Sequence, residues 1–529
     1  LSGGDQYLIA GSRAWVYTPK QRKDWLMIEL HRQLARNVGA SWARYAIRLV
    51  ISFFFVPYIT TVLGNARFGV WVIVFQTINY FSLLDFGLEK ALVRFISSHL
   101  SKENFDRINR ILHTAFGLYL IVGSAIILGS WLTATYLFDF LRIGDPALLE
   151  EGRLALIIIG VYMGARFYLM PFGGSLGGFQ RFDISNGLEV AEEIARAIVL
   201  VALLNAGYGL PALATAILGL SLIKQLGTII ILRRLFPRIR LGLRMFERTT
   251  AGELFAYSRI TFGITLAWLV IFNTDVVLLG LLSSSGAAGV YAPGAQLLLM
   301  VRNAVNAVAT PLTSAISQLE SEGNMDAVRR LYFKGLRYTS YLSFFMAVGV
   351  ILYARPFVAL WLQPEYAGAA PVMQILAVSG AFFIPQIVGN SVLFGISRHH
   401  HLLRVLVLEA ALKLVLSLIL IGPYGLQGMA IAAAVPQFLL YVSLYPILIA
   451  RELEVSPVII LLASIRSGFA AMFVALPMAV ALRVWLPPET WLMFSLNIVL
   501  VGLPALAVGY FVLDPADRNR VRGWLPLSR

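Results

Sequence analysis

Three arginines, Arg44, Arg48 and Arg302, stand inside long apolar runs of this 529-residue chain. A guanidinium near the centre of a bilayer is costly, by on the order of several kcal/mol, unless it meets a wet cavity or a partner. Such a residue therefore marks a candidate binding path. Its natural ligand is an anion, because the guanidinium fork matches phosphate oxygens two at a time. Two or three converging arginines can hold phosphate oxygens while the rest of a ligand moves.

Polar residues recur at helical spacing beside these arginines. Asn37, Ser41, Arg44, Arg48 and Ser52 share a face of the first apolar run, and Gln76, Asn79 and Ser82 a face of the second. Ser258, Thr261, Thr265, Trp268 and Asp275 mark the seventh run; Asn303, Asn306, Thr310, Thr313 and Ser317 mark the eighth, beside Arg302. The expected cationic cavity is Arg44, Arg48 and Arg302 with Gln76, Asn79, Asn303 and Asn306. Arg44 lies within about a turn of one membrane face, where snorkelling to the headgroups is the alternative role.

Asp275, with Asn273 beside it, either binds a coupling cation or proton or closes a salt bridge to a neighbouring helix, Arg302 being a partner to consider. Glu192 with Arg196, and Glu409 with Lys413, are spaced i,i+4 and read as structural ion pairs within their own helices. Arg166 stands near the middle of another run with no partner legible in the sequence.

Other chemistries find little footing. There is no cysteine, which excludes disulfides, thiol chemistry and Cys-type metal sites. The six histidines include the run His399-His400-His401, and no HExxH pattern accompanies them, so no metal site is expected. Leu1-Ser2-Gly3-Gly4-Asp5-Gln6 resembles an ATP-binding-cassette signature, but no Walker A pattern occurs, and no catalytic residue or cofactor is assigned. The loops predicted on the outer side are short, against the large external loop that a membrane glycosyltransferase or polymerase usually needs.

The elements that position these residues are apolar helices. The chain is 58% hydrophobic and 13% charged, against about 25% charged in soluble proteins, and no stretch supplies a polar skin. Runs of roughly 18 to 25 residues recur from about 42 to about 512, each long enough to cross a ~30 Å hydrocarbon core. They are continuous in Leu, Ile, Val, Ala and Phe, which excludes alternating barrel strands. The expected fold class is an all-α polytopic membrane protein of about fourteen helices.

About 32 of the 43 Lys and Arg fall in alternate loops and the termini, which predicts both termini on the cytoplasmic side of a bacterial-type inner membrane. The net charge of +15 is then a topology signal and a contact for anionic phospholipids, not a nucleic-acid footprint. The polar first 35 or so residues, with Lys20, Arg22, Lys23, Arg32 and Arg36, are expected to stay cytoplasmic and do not read as a cleavable signal. Met27 offers a start that would make residues 1–26 an upstream extension.

A duplication at an offset of about 216 to 220 residues organises the whole. Gly69-Val70-Trp71 answers Gly289-Val290-Tyr291, and Gly178-Phe179-Gln180-Arg181 answers Gly395-Ile396-Ser397-Arg398. Glu192 and Arg196 match Glu409 and Lys413, and Tyr208-Gly209-Leu210 matches Tyr424-Gly425-Leu426. Such an offset spans six crossings, so the two six-helix repeats are parallel and a C-terminal helix pair is appended. The boundaries predicted are a cytoplasmic segment 1–39, an N-lobe 40–232, a basic linker 233–256, a C-lobe 257–450, a helix pair 451–513 and a tail 514–529.

Several stretches resemble a known family. Val56-Pro57-Tyr58-Ile59-Thr60-Thr61-Val62-Leu63-Gly64, Phe68-Gly69-Val70-Trp71 and Leu84-Asp85-Phe86-Gly87-Leu88 look like the opening of polysaccharide-transport flippases of the multidrug/oligosaccharidyl-lipid/polysaccharide exporter superfamily. Asn273-Thr274-Asp275, Gly289-Val290-Tyr291-Ala292, Leu360-Trp361-Leu362 and Glu365-Tyr366-Ala367 extend the match across about residues 37 to 450. The resemblance implies a non-enzymatic, alternating-access flippase carrying a polyprenyl-diphosphate-linked oligosaccharide from the cytoplasmic to the periplasmic leaflet.

It also implies that arginines of the first and eighth helices hold the diphosphate, here Arg44, Arg48 and Arg302. The driving force would be a proton or sodium gradient or the membrane potential. A polysaccharide polymerase and chain-length machinery would be partners. No acidic partner is evident beside the arginines of the first helix. The rivals are a drug or cation antiporter of the same superfamily, whose cavity would be acidic, and a membrane-embedded enzyme of envelope polysaccharide assembly.

Overall fold

A computed structural model describes residues 19–100, 104–179, 181–240, 242–514 and 517–518. Among them every long element is an α-helix. The side chains of Asn37, Ser41, Arg44, Ser82, Ser258, Thr261 and Thr310 lie outside the described residues.

The first half of the chain contains α1 (Pro19–Phe81), α2 (Leu88–Leu100), α3 (Phe105–Leu132), α4 (Pro146–Gly178), α5 (Phe182–Asn205) and α6 (Leu210–Leu235). The second contains α7 (Arg248–Leu282), α8 (Ser285–Ser321), α9 (Met325–Trp361), α10 (Ala369–Phe383), α11 (Ile387–Gly395), α12 (His399–Val442) and α13 (Leu444–Leu453). Two more helices follow, α14 (Pro457–Trp485) and α15 (Trp491–Val512).

Ten helical stretches among the described residues are long and apolar enough to cross a membrane, fewer than the fourteen spans read from the sequence. Two of the ten, Val50–Asp85 and His399–Leu453, contain a break at a glycine. Gly64 has φ 70° and Gly425 φ 52°, the left-handed region that an L side chain adopts only with strain. Nothing lies within 4 Å of where a Cβ would stand at either one, so it is backbone conformation and not space that favours glycine there. The helices α5 and α8, which carry Glu192, Glu193 and Arg196 and Arg302, are not among the ten.

The first half's apolar core continues into the second half through Val276, Tyr291, Trp361, Tyr366 and Met429, whereas Val305, Tyr332, Leu393 and Leu406 belong to a separate core within the second half. The joined end carries the Gly64 turn. There the repeat-related glycines meet: a Cβ on Gly69 would strike the Ser285 carbonyl, and one on Gly289 the Asn65 carbonyl. Small residues let the two backbones touch, as in tightly crossed membrane helices. Trp361 Nε1 donates to the Phe53 carbonyl at 2.8 Å, and the Arg142 amide to Gly280 at 3.0 Å, across the same seam.

At the opposite end, rich in arginine, the connection between the halves is strapped to α3. Asn109 Nδ2 donates to the Arg238 carbonyl at 3.1 Å and its Oδ1 accepts the Arg240 amide at 2.9 Å. His113 Nε2 donates to the Arg240 carbonyl at 2.9 Å, and Nδ1 accepts the Met245 amide at 3.1 Å. Arg107 closes the strap on Glu247 at 2.5 Å and Glu253 at 3.0 Å. The helices α14 and α15 lie along α9, where Ser340 meets Ser464 at 2.9 Å and Tyr353 meets Asn497 at 2.9 Å.

Candidate functional site

In the first half, helical spacing aims three stripes into one cavity of about 250 Å³. The stripe of α1 is Arg48, Ile51, Ser52 and Phe55, that of α5 is Glu193, Arg196, Ala197 and Leu200, and Trp71 with Phe75 follows beyond the Gly64 turn. Arg48 Nε stands 3.9 Å from Glu193 Oε1, an acidic neighbour that the sequence reading missed. Glu193 adjoins the expected pair member Glu192 but points to the cavity face of α5, which pair spacing alone does not reveal. With 66% of its side chain exposed, Arg48 gains little from this long pair and stays available to a ligand.

Glu192 is 5% exposed and compensated twice, by Arg196 at 2.9 Å and by Lys224 of α6 at 2.7 Å. Lys224 was not legible as a partner because it comes from another helix. Arg48, Arg196 and Lys224 thus face Glu192 and Glu193, an excess of one positive charge. Gln76 and Asn79 bond each other at 3.4 Å on α1 and do not line this cavity. Arg166 on α4 hydrogen-bonds Tyr162, and Glu189 of α5 and Glu89 of α2 act on its charge, carboxylates the sequence did not suggest.

In the second half, Lys413 of α12 is 1% exposed and reaches across to α7. Its ammonium ion-pairs with Asp275 and donates to the Ile271 carbonyl. Tyr291 donates to the other Asp275 oxygen at 2.5 Å. Lys413 therefore pairs with Asp275 and not with Glu409, the partner expected on its own helix, because its side chain reaches across to α7.

Arg302 does not pair with Asp275 either; its guanidinium lies over the Phe272 ring, 3.8 Å from the centroid. Asp275, Arg302 and Gln437 line a small pocket of about 40 Å³, room for roughly three waters. Asn273, Asn303 and Asn306 are not in its lining, and the two α8 asparagines are exposed. The arginines Arg48 and Arg302 thus occupy separate cavities in this conformation.

A duplicated helical bundle with a charged cavity in each half defines a class of membrane transporter. Among solved structures the chain is similar to the lipid II flippase MurJ in an inward closed conformation, with TM-score 0.70 and 13% identity over 89% of this chain and 97% of that one. An inward-facing multidrug resistance MATE family transporter of the MOP superfamily matches with TM-score 0.64 and 12% identity, over 78% of this chain and 98% of the other. These likenesses show the fold.

The chain belongs to the polysaccharide biosynthesis protein family, whose sequence profile matches residues 34–320. Relatives include the uncharacterized membrane protein EpsK of Bacillus subtilis, 24% identical over 78% of this chain and 83% of the relative. The probable flippase AglR of Haloferax volcanii is 21% identical over 81% and 84%. A flippase or transporter of polysaccharide biosynthesis is the functional class.

Proposed function

We propose that this protein moves a polyprenyl-diphosphate-linked oligosaccharide from the cytoplasmic to the periplasmic leaflet of the inner membrane by alternating access of two lobes, without covalent chemistry. The observation that carries this reading is the first-half cavity. Arg48 and Arg196 face a single lining carboxylate, Glu193, in about 250 Å³, with Trp71 and Phe75 on one wall. A diphosphate finds compensating charge there, and aromatic faces offer sugar rings an apolar surface. A cation antiporter is disfavoured, because its cargo would meet a net positive lining.

The basic end is taken as cytoplasmic from the arginine asymmetry, so both termini lie inside. Arg48 lies sixteen residues before Gly64, about 24 Å along a helix, which sets the cavity toward that cytoplasmic end. The proton or sodium gradient, the anionic lipids and the polymerase partners remain part of the proposal. The pocket at Arg302 is too small for a sugar in this conformation, so Arg302 joins the ligand when the lobes re-pack.

The test is translocation of a lipid-linked sugar in proteoliposomes. Arg48→Ala is expected to lower the rate by about tenfold or more, the scale of one lost charge-assisted contact. Unchanged translocation sinks the cavity assignment, and covalent turnover of the sugar by the purified protein sinks the transporter reading.

A further inference from the structure

Glu409 of α12 is 2% exposed, and neither of its carboxyl oxygens has a hydrogen-bond partner. Lys413, one turn along the same helix, is committed to Asp275 and Ile271 of α7. Three groups lie near Glu409 without forming a well-aligned hydrogen bond: Arg302 from α8, whose charge acts on it, and Gln437 and Tyr441 from the continuation of α12 past Gly425, which approach as weak donors. Arg302 is stacked over Phe272, and Gln437 Oε1 accepts from Ser379 of α10 at 2.9 Å. The Tyr441 hydroxyl is likewise buried without a well-aligned hydrogen bond. A carboxylate ion so placed is far costlier than the neutral acid.

We propose that Glu409 is a proton-binding site, loaded in this conformation, and that release of its proton draws Lys413 away from Asp275. Only one bond breaks, the carboxyl O–H, and the proton passes to water; Arg302 and Gln437, which act on Glu409, also line the neighbouring pocket that holds Asp275. The carboxylate left behind stands four residues from Lys413, the spacing at which two side chains on one helix meet. The ammonium keeps its protons and changes partner by rotating its side chain.

Asp275 then retains Tyr291 and loses its tie to α12. Tyr80 of α1 lies beside Thr274 and Asp275, so the loosened segment of α7 is the one that meets the first half. The repeat-related Glu192 cannot act in this way, since Arg196 and Lys224 hold both of its oxygens. The inference is independent of the cargo's identity.

Infrared difference spectra between acid and alkaline pH, taken on the whole protein in nanodiscs, test both steps. The wild type is expected to show a titrating protonated-carboxyl band that Glu409→Gln removes and Glu192→Gln keeps. In Asp275→Asn, Lys413 is free to serve Glu409, and the same band is expected to titrate at lower pH, with proton affinity weaker by about tenfold or more. A wild type without the band, or a band that survives Glu409→Gln, overturns the proton site. An unmoved midpoint in Asp275→Asn overturns the switch. If Glu409→Gln does not fold, Glu409→Asp serves in its place, since it must shift the band if Glu409 is its source.

Discussion

The repeat-related pairs Glu192/Arg196 and Glu409/Lys413 share helix, spacing and charge order, yet the two halves use them differently. In the first half the basic residue stays on its own helix, 2.9 Å from Glu192, and Lys224 arrives from α6 to complete a compact triad. In the second half the basic residue leaves its neighbour for Asp275 on α7, and Glu409 is stranded. Spacing permits a pair; the third charge decides it.

This contrast predicts that Lys413→Met has the largest effect on stability. It leaves Asp275 buried and uncompensated, for which a loss of about 3–5 kcal/mol is expected, read as the shift of an SDS-induced unfolding midpoint. Adding Asp275→Asn to that variant is expected to restore most of the loss. The first-half counterpart, Arg196→Ala, leaves Lys224 on Glu192 and should cost only about 1 kcal/mol. Equal losses in the two halves would erase the distinction.

Next in size is the pair of carboxyl neutralisations. Glu192→Gln removes the partner of two cations and is expected to cost about 2 kcal/mol, given the partial exposure of Arg196. Glu409→Gln exchanges one neutral buried group for another and should stay within about 0.5 kcal/mol. A larger loss for Glu409→Gln would mean that its carboxylate is ionised and held by Arg302.

The close approach of the halves gives the third effect. Gly69→Ala and Gly289→Ala each force a methyl group into a facing carbonyl, for which about 1–3 kcal/mol is expected from overpacking. Gly173→Ala is a control with open space around it. If all three behave alike, the seam at the joined end is looser than its geometry implies.

The all-helical membrane class and the repeat were legible because they are carried by apolar run length and internal matches. Gly69 and Gly289 were visible as a sequence match, but their meeting depends on how the halves pack. The partners of Lys413, Arg48 and Arg166 were not legible for the same reason. Each partner comes from another helix, and sequence periodicity fixes the face of a helix without saying what that face meets. The strap on α3 was hidden more deeply, since Asn109, His113 and Thr114 bind backbone groups of the linker, and backbone groups leave no mark on a sequence.

That strap supplies the smallest effect and the one pH dependence with a clear sign. The Thr250 hydroxyl first, and Arg107 second, hold the Glu247 carboxyl below the ordinary Glu range, against the opposing effect of burial. A depressed acid contributes stability that is complete above its unfolded value and fades as pH falls through the folded one. The Glu247 amide, bonded to Thr114 Oγ1 at 3.0 Å, reports on this segment through hydrogen exchange. After correction for intrinsic rates, its protection is expected to hold steady at neutral pH and to fall by about twofold to threefold in acid, the scale of a solvent-screened pair. Arg107→Ala should impose much of that loss already at neutral pH and flatten the acid response. An acid response that persists unchanged in Arg107→Ala would assign the tie to the backbone bonds of Asn109 and His113 instead.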